Sequence, residues 1–464
     1  MQFNSLTFLL FAPAAILASY AVPRKLRSSM ILLASILFYL SFGIPAVFVV
    51  AGLWLLTVIS AALISRTHSK AILSGSVLLI VALLVSFRFM NPAENTWFGQ
   101  TIPFSLFMPI GLSFFSLNAI GYLCDLYQGK LEQPMSLITT ALFLVFFPTV
   151  TSGPILRAKA FSSQIGKDIP LRYSRIQKGF VWILWGFFWK LVIAERCALL
   201  VNTIYAEPFY AGFPVVLAII AYSLQIYADF AGYSLIARGL SWCLGFEIPD
   251  NFKQPYFSES IKEFWRRWHI SLSTWLRDYV YIPLGGSRCT KLRKYCNLMI
   301  TFLVSGFWHG KGFTFVIWGG LHGLYQILED LISGLKPKQS DSDTRVLHIL
   351  LTFVLVSIAW VFFRSNGVSE ALHILTQAVQ PKGWGTLFSD TLYTYGLDTR
   401  NFWILIICLF AGALVDWHEY HNESMLDWYL DQHIVLRVLI VWVIVFLITI
   451  SLNISAAEFI YMQF

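Results

Sequence analysis

Between residues 4 and 455 the chain returns again and again to apolar runs of about twenty residues, the length that crosses a bilayer core as an α-helix. Candidate segments lie at 4–22, 29–41, 44–65, 72–90, 103–127, 136–152, 178–203, 213–245, 294–310, 312–334, 347–363, 402–417 and 433–455. Only 12% of the residues are charged, against roughly 25% in an ordinary soluble chain. Such a sequence is expected to fold as an all-α polytopic membrane protein, because a helix satisfies its own backbone polar groups in hydrocarbon. Some segments are too short to span and others are long enough to break or tilt. About eleven true spans plus re-entrant or interfacial helices are therefore expected. No linker divides the chain, so residues 1–464 read as one membrane domain.

The net charge of +8 comes from 33 Lys and Arg against 25 Asp and Glu. In a membrane protein this balance follows from cytoplasmic loops rich in cations and from anionic lipid headgroups, so membrane lipids rather than nucleic acid are the expected partners. Loop 156–178 carries Arg157, Lys159, Lys167, Arg172, Arg175 and Lys178 against Asp168 alone, and 287–294 adds four cations and no acid. Both are expected on the cytoplasmic side. The N-terminal run is apolar before it is basic, the reverse of a signal peptide. Arg24, Lys25 and Arg27 are expected to anchor the cytoplasmic end of a first spanning helix. The six cysteines form no CxxC and no zinc-ligand spacing, and no metal site is expected.

Segment 250–290 breaks the pattern. It is apolar only in patches, and "EFWRRWHIS" at 263–271 packs two arginines, two tryptophans and a histidine together. Trp265, Trp268 and His269 fall at i, i+3 and i+4, one face of a helix, while Arg266 and Arg267 point elsewhere and Glu263 is spaced to pair with either. An interfacial helix leading into a re-entrant piece fits; so does a plain amphipathic anchor with snorkelling arginines.

The next segment, "VSGFWHGKGFTFVIWGGLHGLY" at 304–325, places His309 and His322 in strongly apolar surroundings among glycines 306, 310, 312, 319, 320 and 323. An ionisable group inside a membrane segment is a functional-site candidate, the alternative being a neutral histidine satisfied by the backbone. On one continuous helix, thirteen residues would turn about 1300°, leaving the two rings facing apart. Either the glycines break the helix or only one histidine faces the site. Asp125, Glu195 and Asp229 are expected to pair with nearby Arg or Tyr. The chain has no GxSxG elbow, GxxxxGK[ST] loop or HExxH, and the pair in "HEYH" at 418–421 is spaced i, i+3. The intramembrane histidines are left as the catalytic candidates.

Residues 263–287, "EFWRRWHISLSTWLRDYVYIPLGGS", resemble the signature of the membrane-bound O-acyltransferases, in their alginate O-acetyltransferase branch. "FFPTVTSGPILRA" (146–158), "IYADFAGYS" (226–234) and "SGFWHG" (305–310) follow the same family in the same order. The stretches 148–153 and 232–237 depart from the alginate pattern and lean towards peptidoglycan O-acetylation and teichoic-acid D-alanylation subunits. The resemblance implies a funnel or pore through a ring of helices, with His309 of the "WHG" motif at the constriction and His269 near the cytoplasmic vestibule. It also implies a donor channel lined by Trp265, Arg266, Arg267, Trp268, Trp308 and His322. "FIYMQF" at 459–464 is similar to a C-terminal motif whose tyrosine is proposed to carry the acyl group, here Tyr461; an interfacial aromatic anchor is the alternative.

The function implied is transfer of an acyl group, acetyl first, from a cytoplasmic thioester such as acetyl-CoA to a polysaccharide beyond the bacterial cytoplasmic membrane. A periplasmic SGNH-type transferase is the implied partner and no bound cofactor is implied. D-alanyl transfer from a carrier protein is one alternative. A flippase for lipid-linked sugars is another, disfavoured by the absence of internal repeats.

Overall fold

A computed structural model describes residues 1–89, 109–167, 169–333, 342–421 and 424–452, and among them there is no β-strand. The helices run α1 (Leu6–Ala21), α2 (Arg24–Leu40), α3 (Ile44–Thr67), α4 (Lys70–Phe89), α5 (Leu112–Tyr127), α6 (Leu137–Val145), α7 (Ala158–Ser162), α8 (Tyr173–Phe187), α9 (Glu195–Ala206) and α10 (Phe213–Cys243). They continue as α11 (Ile261–Arg267), α12 (Ile270–Leu276), α13 (Lys291–His309), α14 (Phe313–Ser333), α15 (Ser342–Arg364), α16 (Val368–Ala378), α17 (Thr399–Tyr420), α18 (Met425–Asp431) and α19 (Ile434–Ser451). Among the described helices, α3, α4, α10, α15, α17 and α19 are both long and apolar enough to cross a bilayer. The other expected spans are shorter, as α1 and α2 are at 16 and 17 residues, or carry charge at an end, as α13 does at Lys291, Arg293 and Lys294. The outward face of α19 exposes Leu439, Trp442, Val443 and Phe446, a surface suited to lipid chains.

The chain packs as two compact units, residues 1–183 with 236–249 and residues 184–235 with 250–464. In the first, the basic cluster does more than face headgroups. Arg24 Nε donates to the Gly166 carbonyl (2.7 Å), and Arg27 donates to the carbonyls of Ile169 (2.8 Å) and Leu244 (3.1 Å) while lying over the Tyr20 ring. The segment expected as one span at 136–152 is helical only over α6. Pro148 disfavours helical geometry at Phe147, and the chain turns through residues 146–153 instead. Gly111, at φ +81°, makes that turn possible, since any Cβ there would collide with the Val150 carbonyl. Asn118 Oδ1 accepts from the Leu156 N–H just beyond the turn (3.0 Å), satisfying a buried donor that no helix provides for.

The second unit is organised around a buried ion cluster. Following α8, residues Phe188–Ala194 form a π-helical turn carrying Lys190. Its Nζ lies 2.7 Å from Asp229 Oδ1 on α10 and 3.0 Å from Glu195 Oε1, with all three side chains buried. Asp229 and Glu195 thus share a lysine, a partner that the expected pairing with arginine or tyrosine did not include; the widened turn brings Lys190 to both. Gly232 lets α10 lie against this turn, where a Cβ would stand 2.7 Å from the Gly186 carbonyl. Arg196, buried beside the cluster, donates to the Val192 carbonyl (2.9 Å), Ser451 Oγ (2.8 Å) and Asn401 Oδ1 (3.2 Å), tying α9 to α17 and α19.

α13 and α14 form an antiparallel hairpin whose backbones touch. A Cβ at Gly306 would strike the Phe315 carbonyl, and one at Gly319 would strike the Phe302 carbonyl. Gly323 continues the seam against Met299. Small residues at such a seam let two helices approach without a side chain between them.

Replacing Lys190 by Met leaves two buried carboxylates without their shared cation, a loss of about 3–5 kcal/mol. Thermal unfolding of the detergent-purified protein is expected to show Lys190→Met strongly destabilised, with much of the loss recovered on adding Asp229→Asn.

Candidate active site

The residues of 250–271 and 305–325 meet inside the second unit. α11 starts at Ser260, whose Oγ accepts from the Glu263 N–H (3.0 Å), and Glu263 Oε2 in turn accepts from the Glu259 N–H (2.9 Å), a close relative of the capping box. The helix then stops after two turns. The Lys253 N–H donates to the Arg267 carbonyl (2.9 Å) and the Ile270 N–H donates to the Asn251 carbonyl (2.9 Å), so segment 251–254 takes up the groups that would have continued the helix. Trp268 is extended, at φ −101° and ψ 129°. His269 follows in the left-handed region, at φ 42° and ψ 53°, and caps the start of α12. Trp265, Trp268 and His269 accordingly do not share one helical face, which corrects the i, i+3, i+4 reading. A left-handed non-glycine residue costs about 1–3 kcal/mol and persists only where neighbours fix it.

The histidines on the hairpin are separated by a break. α13 ends at His309, and Gly310 to Gly312 turn the chain into α14. Gly310 is required at that turn because a Cβ would run into the Phe315 ring. The break, not one continuous helix, decides the question the spacing left open: both rings reach the same tryptophan. Trp318 lies 5.0 Å from His309 and 5.1 Å from His322, centroid to centroid. Trp308 stands 4.8 Å from His309 and 6.4 Å from His269, and Trp265 stands 5.0 Å from His322. The three histidines thus lie along one row of buried rings, closed by Trp360 and Phe363 of α15.

His322 is wholly buried, and the indole N–H of Trp265 donates to its Nδ1 (3.2 Å). An indole nitrogen only donates, so Nδ1 carries a lone pair and the neutral ring holds its proton on Nε2. His322 therefore faces its surroundings as a hydrogen-bond donor. Trp268 is 1% exposed and wedged among Phe264, Phe252, Tyr256 and Trp360. Its geometry is that of a packing residue that keeps α11 against α15.

The two arginines differ. Arg267 Nε pairs with Glu263 at i+4 (2.8 Å), and the guanidinium donates to the Lys253 carbonyl (3.1 Å) and lies over Tyr420. It is committed to holding the end of α11. Arg266 is exposed, and among the described residues no carboxylate pairs with it. Tyr461 lies outside the described residues. Among the described residues no group of three His, Cys, Asp or Glu side chains is arranged to hold a metal ion.

Trp318 and Asn251 are the site residues that sequence reasoning missed. Trp318 had a signal, since it precedes His322 by four residues and so shares its helical face. Asn251, in "IPDNFK", had none: its partners are His269, Ser271 and Ser234, from other segments.

The model of the membrane-bound O-acyltransferase family matches residues 30–369. The chain is 36% identical over 443 residues to a protein of Pseudomonas aeruginosa named a probable alginate O-acetylase, AlgI, across 92% of this chain and 83% of that one. It is 32% identical over 404 residues to a peptidoglycan O-acetyltransferase of Helicobacter pylori, across 79% of this chain and 76% of the relative. A teichoic acid D-alanyltransferase of Streptococcus thermophilus is 31% identical over 287 residues, across 56% of this chain and 69% of that one.

Trp265→Phe keeps the ring and removes the N–H that His322 Nδ1 accepts. Leaving that buried nitrogen without its donor is expected to cost about 1–3 kcal/mol, measured as a lowered unfolding temperature, with Trp265→Ala falling further through lost packing.

Proposed function

We propose a transmembrane acyl transfer for this chain, which belongs to the membrane-bound O-acyltransferase family and is a multi-pass membrane O-acyltransferase. The acyl group, acetyl in this reading, comes from a cytoplasmic thioester such as acetyl-CoA and serves O-acetylation of a polysaccharide on the far side of the cytoplasmic membrane. The observation that carries the reading is His309: a 3% exposed imidazole at a glycine-made helix break, boxed by Trp308 and Trp318 of the α13–α14 hairpin and by Phe363 of α15.

The chemistry follows from that position. The His309 imidazole takes the proton of an acceptor hydroxyl as its oxygen attacks the thioester carbonyl. The tetrahedral intermediate collapses with cleavage of the C–S bond, and the departing thiolate recovers the proton from the imidazolium. The products are an oxygen ester and a free thiol, and no net proton is consumed. The buried rings around the site exclude the water that would otherwise hydrolyse the thioester. On the donor side, Arg266, with no carboxylate partner among the described residues, and the cations of 287–294 suit the anionic phosphates of CoA. Trp265 supports this arrangement by orienting His322, and Trp268 by packing.

Acetyl is preferred over D-alanyl because the similarity to the O-acetylating relatives covers more of the chain than the similarity to the D-alanyltransferase. A flippase gives way to the family's acyltransferase membership. In the full pathway the first acceptor is the phenol of Tyr461, whose aryl ester is an activated donor for a separate SGNH-type transferase outside the membrane.

The test uses the purified full-length protein with labelled acetyl-CoA. His309→Ala is expected to lower acyl transfer by about 100-fold or more; an unchanged rate contradicts the assignment of the base. Tyr461→Phe is expected to abolish acetylation of the polysaccharide in cells, and full acetylation in that variant removes the shuttle.

A further inference from the structure

Asn251 is 3% exposed and makes several directed hydrogen bonds within the site. Its Oδ1 accepts from the Ser271 N–H (3.2 Å) and from Ser271 Oγ (2.8 Å), and its Nδ2 donates to Ser234 Oγ on α10 (3.2 Å). A backbone N–H can only donate, so the Ser271 contact fixes which end of the amide is the oxygen. That same oxygen lies 3.1 Å from His269 Nδ1. Nδ1 must then be the donor, and in the neutral ring Nε2 carries the lone pair. The Asn251 main chain adds a second hold, its carbonyl accepting from the Ile270 N–H (2.9 Å). Together these contacts grip residues 269–271 where the backbone passes through the left-handed region, and Phe230 closes edge-on over the His269 ring at 4.6 Å.

We propose that Asn251 is a positioning residue for acyl transfer, holding His269 as the Nδ1–H tautomer so that Nε2 meets substrate only as a hydrogen-bond acceptor. The proposal rests on the acyl-transfer reading above for its consequence in catalysis, and on geometry alone for the tautomer. It divides the histidines chemically. His322 is held by Trp265 as a donor at Nε2, whereas His269 is held by Asn251 as an acceptor at Nε2. A donor suits the carbonyl oxygen of a thioester as it gains charge; an acceptor suits an O–H or N–H of a reactant. Exchanging the tautomer of His269 would turn an acceptor into a donor at the same place, and a ring in the wrong tautomer cannot do its work even with its geometry intact. The strained backbone at His269 is held by the same contacts that choose the tautomer, so ring orientation and protonation pattern are set together.

The experiment is nitrogen NMR of the full-length protein, labelled at histidine nitrogens and held in lipid bilayers, with the His269 signals assigned by their loss in His269→Gln. The wild type and Asn251→Asp, which keeps an accepting oxygen, are expected to show His269 protonated at Nδ1. Asn251→Ala is expected to redistribute the proton between the two nitrogens and to lower acyl transfer about 10- to 100-fold, while Asn251→Asp retains most of it. A wild-type His269 protonated at Nε2, an unchanged tautomer in Asn251→Ala, or equal loss of activity in Asn251→Ala and Asn251→Asp overturns the proposal. The wild-type spectrum needs neither a stable variant nor an active one. If it gives the Nδ1 pattern while the protein transfers no acyl group, the acyl-transfer reading fails and the tautomer assignment stands.

Discussion

The contact of α13 with α14, backbone against backbone through Gly306 and Gly319, is what the site depends on. With side chains between the two helices, Phe302 and Phe315 could not lie against the opposite backbone. Neither could Trp318 bring its ring to both His309 and His322. The break at Gly310 completes the arrangement, because it ends α13 at His309 and sets that residue at the mouth of a turn while His322 stays in the body of α14. Glycine in this hairpin acts by absence: it permits the close approach that lines up the buried rings.

A membrane interior then makes each polar group in the second unit a question of partners. Unsatisfied hydrogen-bonding groups are expensive where water is excluded, and the chain answers with dedicated side chains. Lys190 serves two carboxylates, Arg196 serves three elements, Trp265 serves His322 and Asn251 serves His269. The first two hold helices together and the last two set protonation patterns. The same rule that stabilises the fold therefore also orients the two buried imidazoles.

Much of this was legible in the sequence, and the boundary of what was legible is physical. Long apolar runs gave the helices, because hydrocarbon leaves few other structures open to them. His309 and His322 stood out because an imidazole in such a run is rare enough to need a reason, and His269 because it sits in the Arg- and Trp-rich cluster that interrupts the apolar pattern. The i, i+3, i+4 face of Trp265, Trp268 and His269 failed because a helix that short is ended by tertiary hydrogen bonds to segment 251–254, which no local pattern encodes. The turn after Phe146 was hinted at by Pro148, but an apolar run hid it. Asn251 was invisible for the same reason as the helix stop: its meaning lies entirely in residues seventeen and more positions away.

The central claim is that the acyl group crosses the membrane through this protein. It is tested most directly with sealed inverted membrane vesicles, which present the cytoplasmic face outward, supplied externally with labelled acetyl-CoA. The account predicts ester-linked label accumulating inside the vesicles, protected from an externally added esterase and absent from vesicles lacking the protein. Ester label that stays on the outer face and is fully removed by the esterase would contradict it.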